Sequence, residues 1–95
     1  MTTQDDYAES LKRAIDDWNA RIKKMRADME AESDKAQSRY REQLHELEQL
    51  RDQAQAQMRD IQDSSRAQWN DNADRMKAAW REISDGFERA WSRLK

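Results

Sequence analysis

The chain is predicted to be all-α, a long coiled-coil helix written in heptads followed by an amphipathic helix with an eleven-residue repeat. Three observations predict it. Charged residues fill 40% and hydrophobic residues 36% of the 95 positions, with no proline and one glycine, Gly86. Turns draw on residues such as Gly and Pro for their backbone angles, so this chain turns rarely. Apolar residues also recur at spacings of three and four along almost the whole length, which a disordered chain of similar charge lacks. Finally, Trp69, Trp80 and Trp91 stand eleven apart in the last third.

The first helix is expected over about residues 4–62. Thr3, followed three residues later by Asp6, marks its start: a hydroxyl cap with acidic residues near the positive end of the helix dipole. Tyr7, Leu11, Ile15, Trp18, Ile22, Met25 and Met29 then follow at steps of three and four, one stripe on one face. Ile15, Ile22, Met29 and Ala36 lie seven apart, the rhythm of a left-handed coiled coil. Between Glu30 and Ser38 the stripe thins to Ala31 and Ala36 beside Glu32-Ser33-Asp34, a loosely packed stretch or a bend. It resumes at Tyr40, Leu44, Leu47, Ala54, Met58 and Ile61, with a stutter between Ala36 and Leu47 that relaxes the supercoil.

At Asp63-Ser64-Ser65-Arg66 helix propensity drops again, and either serine can cap a new helix over about 66–95. The second helix is therefore either continuous with the first or folded back as a hairpin. Acidic-before-basic pairs at (i, i+4), such as Glu9–Arg13, Asp17–Arg21, Asp71–Arg75 and Asp85–Arg89, support helices by about 0.2–0.5 kcal/mol each. A single helix of that length would be a rod of about 135 Å. Such a rod cannot shield its own stripe, so it must pair with another chain or fold back on itself.

In the second helix eleven residues make almost three whole turns, so the tryptophans share one face. Trp69, Met76, Trp80, Ile83, Phe87, Trp91 and Leu94 form its apolar arc. Arg66, Lys77 and Lys95 sit on one shoulder of that arc, Arg75 and Arg93 lie beyond the other, and Asp74, Asp85 and Glu88 occupy the far side. Residues 66–95 carry seven basic and five acidic side chains, against eleven and fifteen in residues 1–65. Basic residues at an apolar boundary with interfacial Trp are the layout of helices that lie on lipid. The same arc equally serves protein packing, where Trp adds buried area to a seam.

Catalytic chemistry finds little purchase. Glu42-x-x-His45 matches one helical element of a di-iron bundle, but such a site needs two, and His45 is the only histidine. His45 flanks the stripe, where a solvated histidine is the plain reading. There is no cysteine and no glycine-rich phosphate loop. The formal net charge of -2 gives no basic excess for nucleic acid. No run approaches the roughly 20 apolar residues of a membrane span, and Met1-Thr2-Thr3-Gln4-Asp5-Asp6 lacks the pattern of a secretory signal. The expectation is a non-enzyme without cofactor, metal or small-molecule substrate, located in the cytoplasm.

Asp5-Asp6-Tyr7 with Leu11 and Ile15-Asp16-Asp17-Trp18-Asn19-Ala20, the middle Tyr40-Arg41-Glu42-Gln43-Leu44-His45-Glu46-Leu47, and the terminal Trp helix resemble the small bacterial coiled-coil proteins associated with stress response. At Ser64-Ser65 the chain departs from the Ser-Gly usual in that family. The resemblance implies a coiled-coil class and a stress-linked setting, with no enzyme, cofactor or assigned binding residue. Two uses follow as expectations. One is a self-associating, homo-oligomeric scaffold with Ile15, Trp18, Ile22, Met25, Leu44, Leu47 and Ile61 as its seam. The alternative is a peripheral lipid-surface binder acting through Trp69, Trp80, Phe87 and Trp91.

Overall fold

A computed structural model of the protein describes residues 3–93. Three helices, α1 (Gln4–Glu30), α2 (Asp34–Asp63) and α3 (Arg66–Ser92), pack as an up-down three-helix bundle with extents of 52 × 19 × 17 Å. The expected single helix over 4–62 is thus two helices, and the chain folds back twice. The first break is capped locally. Ser33 leaves the helical backbone region (φ -65, ψ 159) and its side chain accepts from the Ala36 amide, capping α2. Folding back there buries the stripe of α1 on that of α2, which a lone helix cannot do.

Each helix starts with a side-chain cap. Thr3 accepts from the Asp6 amide at 3.1 Å, satisfying one of the amides that a helix start leaves unpaired. Ser65 is the serine that caps α3, in a full capping box. Its hydroxyl accepts from the Gln68 backbone amide at 3.1 Å, and the side-chain Oε1 of Gln68 accepts from the Ser65 amide at 2.9 Å. The second turn is pinned further from α1, where Gln4 Nε2 donates to the carbonyls of Ile61 and Ser64, the latter at 2.6 Å. Among the described residues the first turn has no such strap from the third helix. Gln37 Nε2 donates to the Glu32 carbonyl at 3.1 Å, and the amides of Ala31 and Glu32 donate to the Asp28 and Met29 carbonyls.

The core is apolar throughout, with no buried polar or charged side chain among the described residues. Around Ile15, Trp18, Ile22, Leu44, Leu47, Ala54, Phe87 and Ala90 it forms one cluster, and around Ala8, Leu11, Ile61 and Trp69 a second. Met58 and Trp80 pack against both, joining them into one column. The backbones of α1 and α2, and of α2 and α3, run close together, whereas α1 and α3 stay farther apart.

Small residues permit the close approach of α2 and α3. Ala54 and Ala90 are fully buried, and Gly86 faces Leu50. A Cβ on Gly86 would lie 3.4 Å from Leu50 Cδ2, in contact without forcing a shift of backbone. Gly86 has no positive φ to preserve. Glycine inside a helix costs about 0.5–1 kcal/mol relative to alanine. Gly86→Ala is therefore expected to raise stability by up to about 1 kcal/mol in urea unfolding; a loss would mean that Leu50 cannot adjust.

Candidate functional site

The feature with most chemical character is an aromatic ladder between α1 and α3. Trp80 and Phe87 stand seven residues apart on α3, two turns or about 10 Å along the axis, which leaves room for one ring between them. Trp18 of α1 fills that gap. Its ring stacks on Phe87 at 4.2 Å between centroids with 5° between planes, and on Trp80 at 5.2 Å and 15°. Farther along the same seam, Tyr7 meets Trp69 at 5.5 Å and 40°. Such pairs contribute about 0.5–1.5 kcal/mol each beyond the area they bury.

The pairing follows from a shared period. Tyr7 and Trp18 are eleven apart, as are Trp69 and Trp80. Helices α1 and α3 run parallel, so an equal spacing on both brings Tyr7 to Trp69 and Trp18 to Trp80. The eleven-residue rhythm was legible in α3; its match in α1 is the signal that foretells which helix α3 packs on.

Two cations roof this seam. Arg21 Cζ lies 5.4 Å from the centroid of Trp91, while Arg21 also pairs with Asp17 at 3.0 Å and Glu88 at 2.9 Å. Lys77 Nζ stands 5.7 Å from the Tyr7 ring and 5.9 Å from that of Trp69. These groups are partly exposed, where a cation–π contact supplies about 0.5–1 kcal/mol and an ion pair about 0–1. Burial pushes the Tyr7 phenol above its ordinary pKa, and the charge of Arg81 pulls the other way. Of the expected (i, i+4) pairs, Asp17–Arg21 and Glu9–Arg13 are closed, the latter at 3.8 Å; Arg89 Nε turns instead to the Asp85 carbonyl at 3.3 Å.

The residues expected to form an oligomer seam lie inside this one chain. Ile15, Trp18, Ile22, Leu44, Leu47 and Ile61 are buried, and Met25 is half-buried against them. Residues expected to present a partner or lipid face lie in the same core. Trp69 and Phe87 are buried; Met76, Trp80, Ile83 and Trp91 are half-buried and packed against the clusters. Leu94 lies outside the described residues. The two stripes of the sequence are thus two sides of a single core. His45 is exposed, its ring Nε2 3.2 Å from Gln49 Nε2. Among the described residues no three metal-ligating side chains come together, and no helix is long and apolar enough to cross a membrane.

Among the described residues, one end of the bundle is two helices thick. Arg93 reaches Glu46 at 3.7 Å, so α3 as described ends level with that residue of α2. Beyond that level α1 and α2 run on to their turn, past the Arg26–Glu48 ion pair that joins them near the end of α3. Met29, Ala36 and Tyr40 are half-buried there. They continue the apolar stripe beyond the described residues of α3.

Comparison of the chain with family models, with curated proteins and with solved structures finds no match.

Trp18 is the test of the ladder. Trp18→Ala removes the inserted ring and is expected to destabilise the bundle by about 3–5 kcal/mol, measured by urea unfolding. Because that variant can unfold outright, Trp18→Phe is the companion: it keeps a ring in the slot. It should stay folded while losing the near-ultraviolet circular dichroism that the coupled Trp18–Trp80 pair produces. An unchanged spectrum in Trp18→Phe would contradict the stack.

Proposed function

We propose that this chain is a non-enzymatic structural protein that acts by self-association of its helices. One observation carries the reading. Met29, Ala36 and Tyr40 are half-buried where α1 and α2 pair beyond the described residues of α3. A half-exposed apolar patch is stabilised by meeting another. A stress-linked bacterial setting rests on the resemblance of the Asp5–Tyr7, Leu11, Ile15–Ala20 and Tyr40–Leu47 segments and of the terminal Trp helix.

Sedimentation equilibrium over a wide concentration range tests this reading. A dimer that grows with concentration is expected, and Met29→Glu should weaken it at least tenfold, since a charge at an apolar interface must be desolvated without a partner. A monomer at every concentration would end the proposal.

A second reading keeps a specific support: Arg66 and Lys77 line the boundary of the apolar face of α3, as basic residues do on helices at lipid surfaces. This use requires α3 to leave the bundle, because Trp69 and Phe87 are buried within it. Vesicles of phosphatidylglycerol should then blue-shift the fluorescence of a Trp18→Phe variant, in which the other tryptophans all report from α3. An unmoved spectrum rejects it.

A further inference from the structure

Resting on the self-association proposed above, we infer how two copies pair: the α1–α2 turn opens into helix, and α1 of each chain occupies the place of α1 in the other. The partner is a second copy of this chain, and the surface it docks on is the face of α2 and α3 that α1 already covers. No new complementarity is needed, because every contact between α1 and the rest of the bundle is remade between chains.

Four observations converge on the turn at Ala31-Glu32-Ser33. It contains no Gly and no Pro, and no described residue of the chain has a positive φ. Ala31 is already in the right-handed helical region (φ -85, ψ -6), so helix can continue through it without a forbidden backbone angle. The seven-residue interval also runs across the turn as far as Ala36, where the stutter begins. Ile15, Ile22 and Met29 of α1 and Ala36 of α2 keep the seven-residue interval. A hairpin places no requirement on that phase, since its two helices are set independently by the turn. A continuous helix requires it. Only the step at Glu32 or Ser33 is polar, and this favours the hairpin when the chain is dilute.

The turn at Ser64-Ser65 is built differently. A capping box closes it, and Gln4 Nε2 holds the Ile61 and Ser64 carbonyls across the gap. It stays folded while the first turn opens, so each half of the dimer is a three-helix bundle of α1 from one chain with α2 and α3 from the other. Gln4 of one chain then straps the Ser64 turn of its partner. The two-helix tips merge into a central antiparallel coiled coil, which covers Met29, Ala36 and Tyr40 of both chains.

Opposite substitutions in the turn should move the equilibrium in opposite directions. Asp34 is the first residue of α2, where proline is well tolerated, and Ser33 before it already has the extended backbone that a following proline prefers. Asp34→Pro therefore suits the hairpin but breaks a continuous helix, and dimerisation should fall by roughly a hundredfold or more. Ser33→Ala removes the cap that the hairpin uses and favours the helix. Dimerisation should rise about fivefold or more.

The decisive experiment uses the absence of native cysteine. Arg26 and Glu48, which pair across α1 and α2, are replaced as Arg26→Cys and Glu48→Cys in the full chain. The protein is refolded at increasing concentration, and a short bismaleimide links the two thiols. The same variant is sedimented without linking. The inference expects covalent dimers on a denaturing gel, growing with refolding concentration and lost when Asp34→Pro is added. A native dimer that runs as a linked monomer on the gel overturns the exchange of α1 and leaves self-association standing, as a contact between intact bundles. A monomer by sedimentation at all concentrations overturns both. Circular dichroism of the Asp34→Pro variant must show the helix content of the parent, so that loss of dimers reports the turn and not unfolding.

Discussion

The insertion of Trp18 between Trp80 and Phe87 sets the geometry to which the other contacts of the bundle conform. Two rings two helical turns apart hold a third only if the facing helix stands at ring distance rather than backbone distance. The seam between α1 and α3 is consequently wide and filled by large side chains. The seam between α2 and α3 is narrow, with Gly86 against Leu50 and Ala54 and Ala90 fully buried. Close packing at crystal-like density demands this compensation. A bundle with tryptophans on all its seams would leave voids, and one with alanines on all of them would bury too little area for a chain of this size.

The same geometry explains how much the amino-acid pattern disclosed. Helical content, the apolar faces and the Thr3 cap follow from spacing and local chemistry, and both kinds of signal lie within a few residues. Periodicity identifies which face of a helix is apolar and leaves open which apolar face it meets. Trp69 and Phe87 therefore read as a face awaiting a partner or lipid, although Trp18 and Tyr7 cover them in the same chain. The break at Ser33 was visible only as a thinning of the stripe near Glu32-Ser33-Asp34. Whether such a stretch bends is decided by the gain from packing α1 on α2, a tertiary quantity that no short window contains. The spacing of Tyr7 and Trp18, equal to that of Trp69 and Trp80, is the long-range clue that was present in the chain itself.

Charge placement follows the same logic. Lys77 at the shoulder of the apolar arc suits a lipid-facing helix, yet in the bundle it stands over Tyr7 and Trp69. Arg21, on the other helix of the seam, covers Trp91 in the same way while pairing with Asp17 and Glu88. A long basic side chain lays its apolar stem on whatever apolar surface is near and keeps its charge in water. Lipid and an aromatic seam both satisfy that preference. Basic shoulders are thus compatible with either use. Burial of the rings separates the two, because withdrawing Trp69 and Phe87 from the core costs far more than the shoulder cations contribute.

The two turns divide the labour between permanence and exchange. Around Ser64-Ser65 the backbone groups are held by a capping box and by a side chain from another helix, so opening that turn leaves several polar groups unpaired at once. Around Ala31–Ser33 the hydrogen bonds are local, and a continuing helix would replace them with its own. The closed and exchanged forms then differ by one cap, one polar step in the seam and the entropy of joining two chains. Apolar burial, the main stabilising force in each, is common to both except at the tip. With a short turn the effective concentration of α1 for its own α2 is in the millimolar range, so the closed bundle prevails in dilute protein. In the exchange proposed above, concentration is the variable that shifts the balance between the two forms.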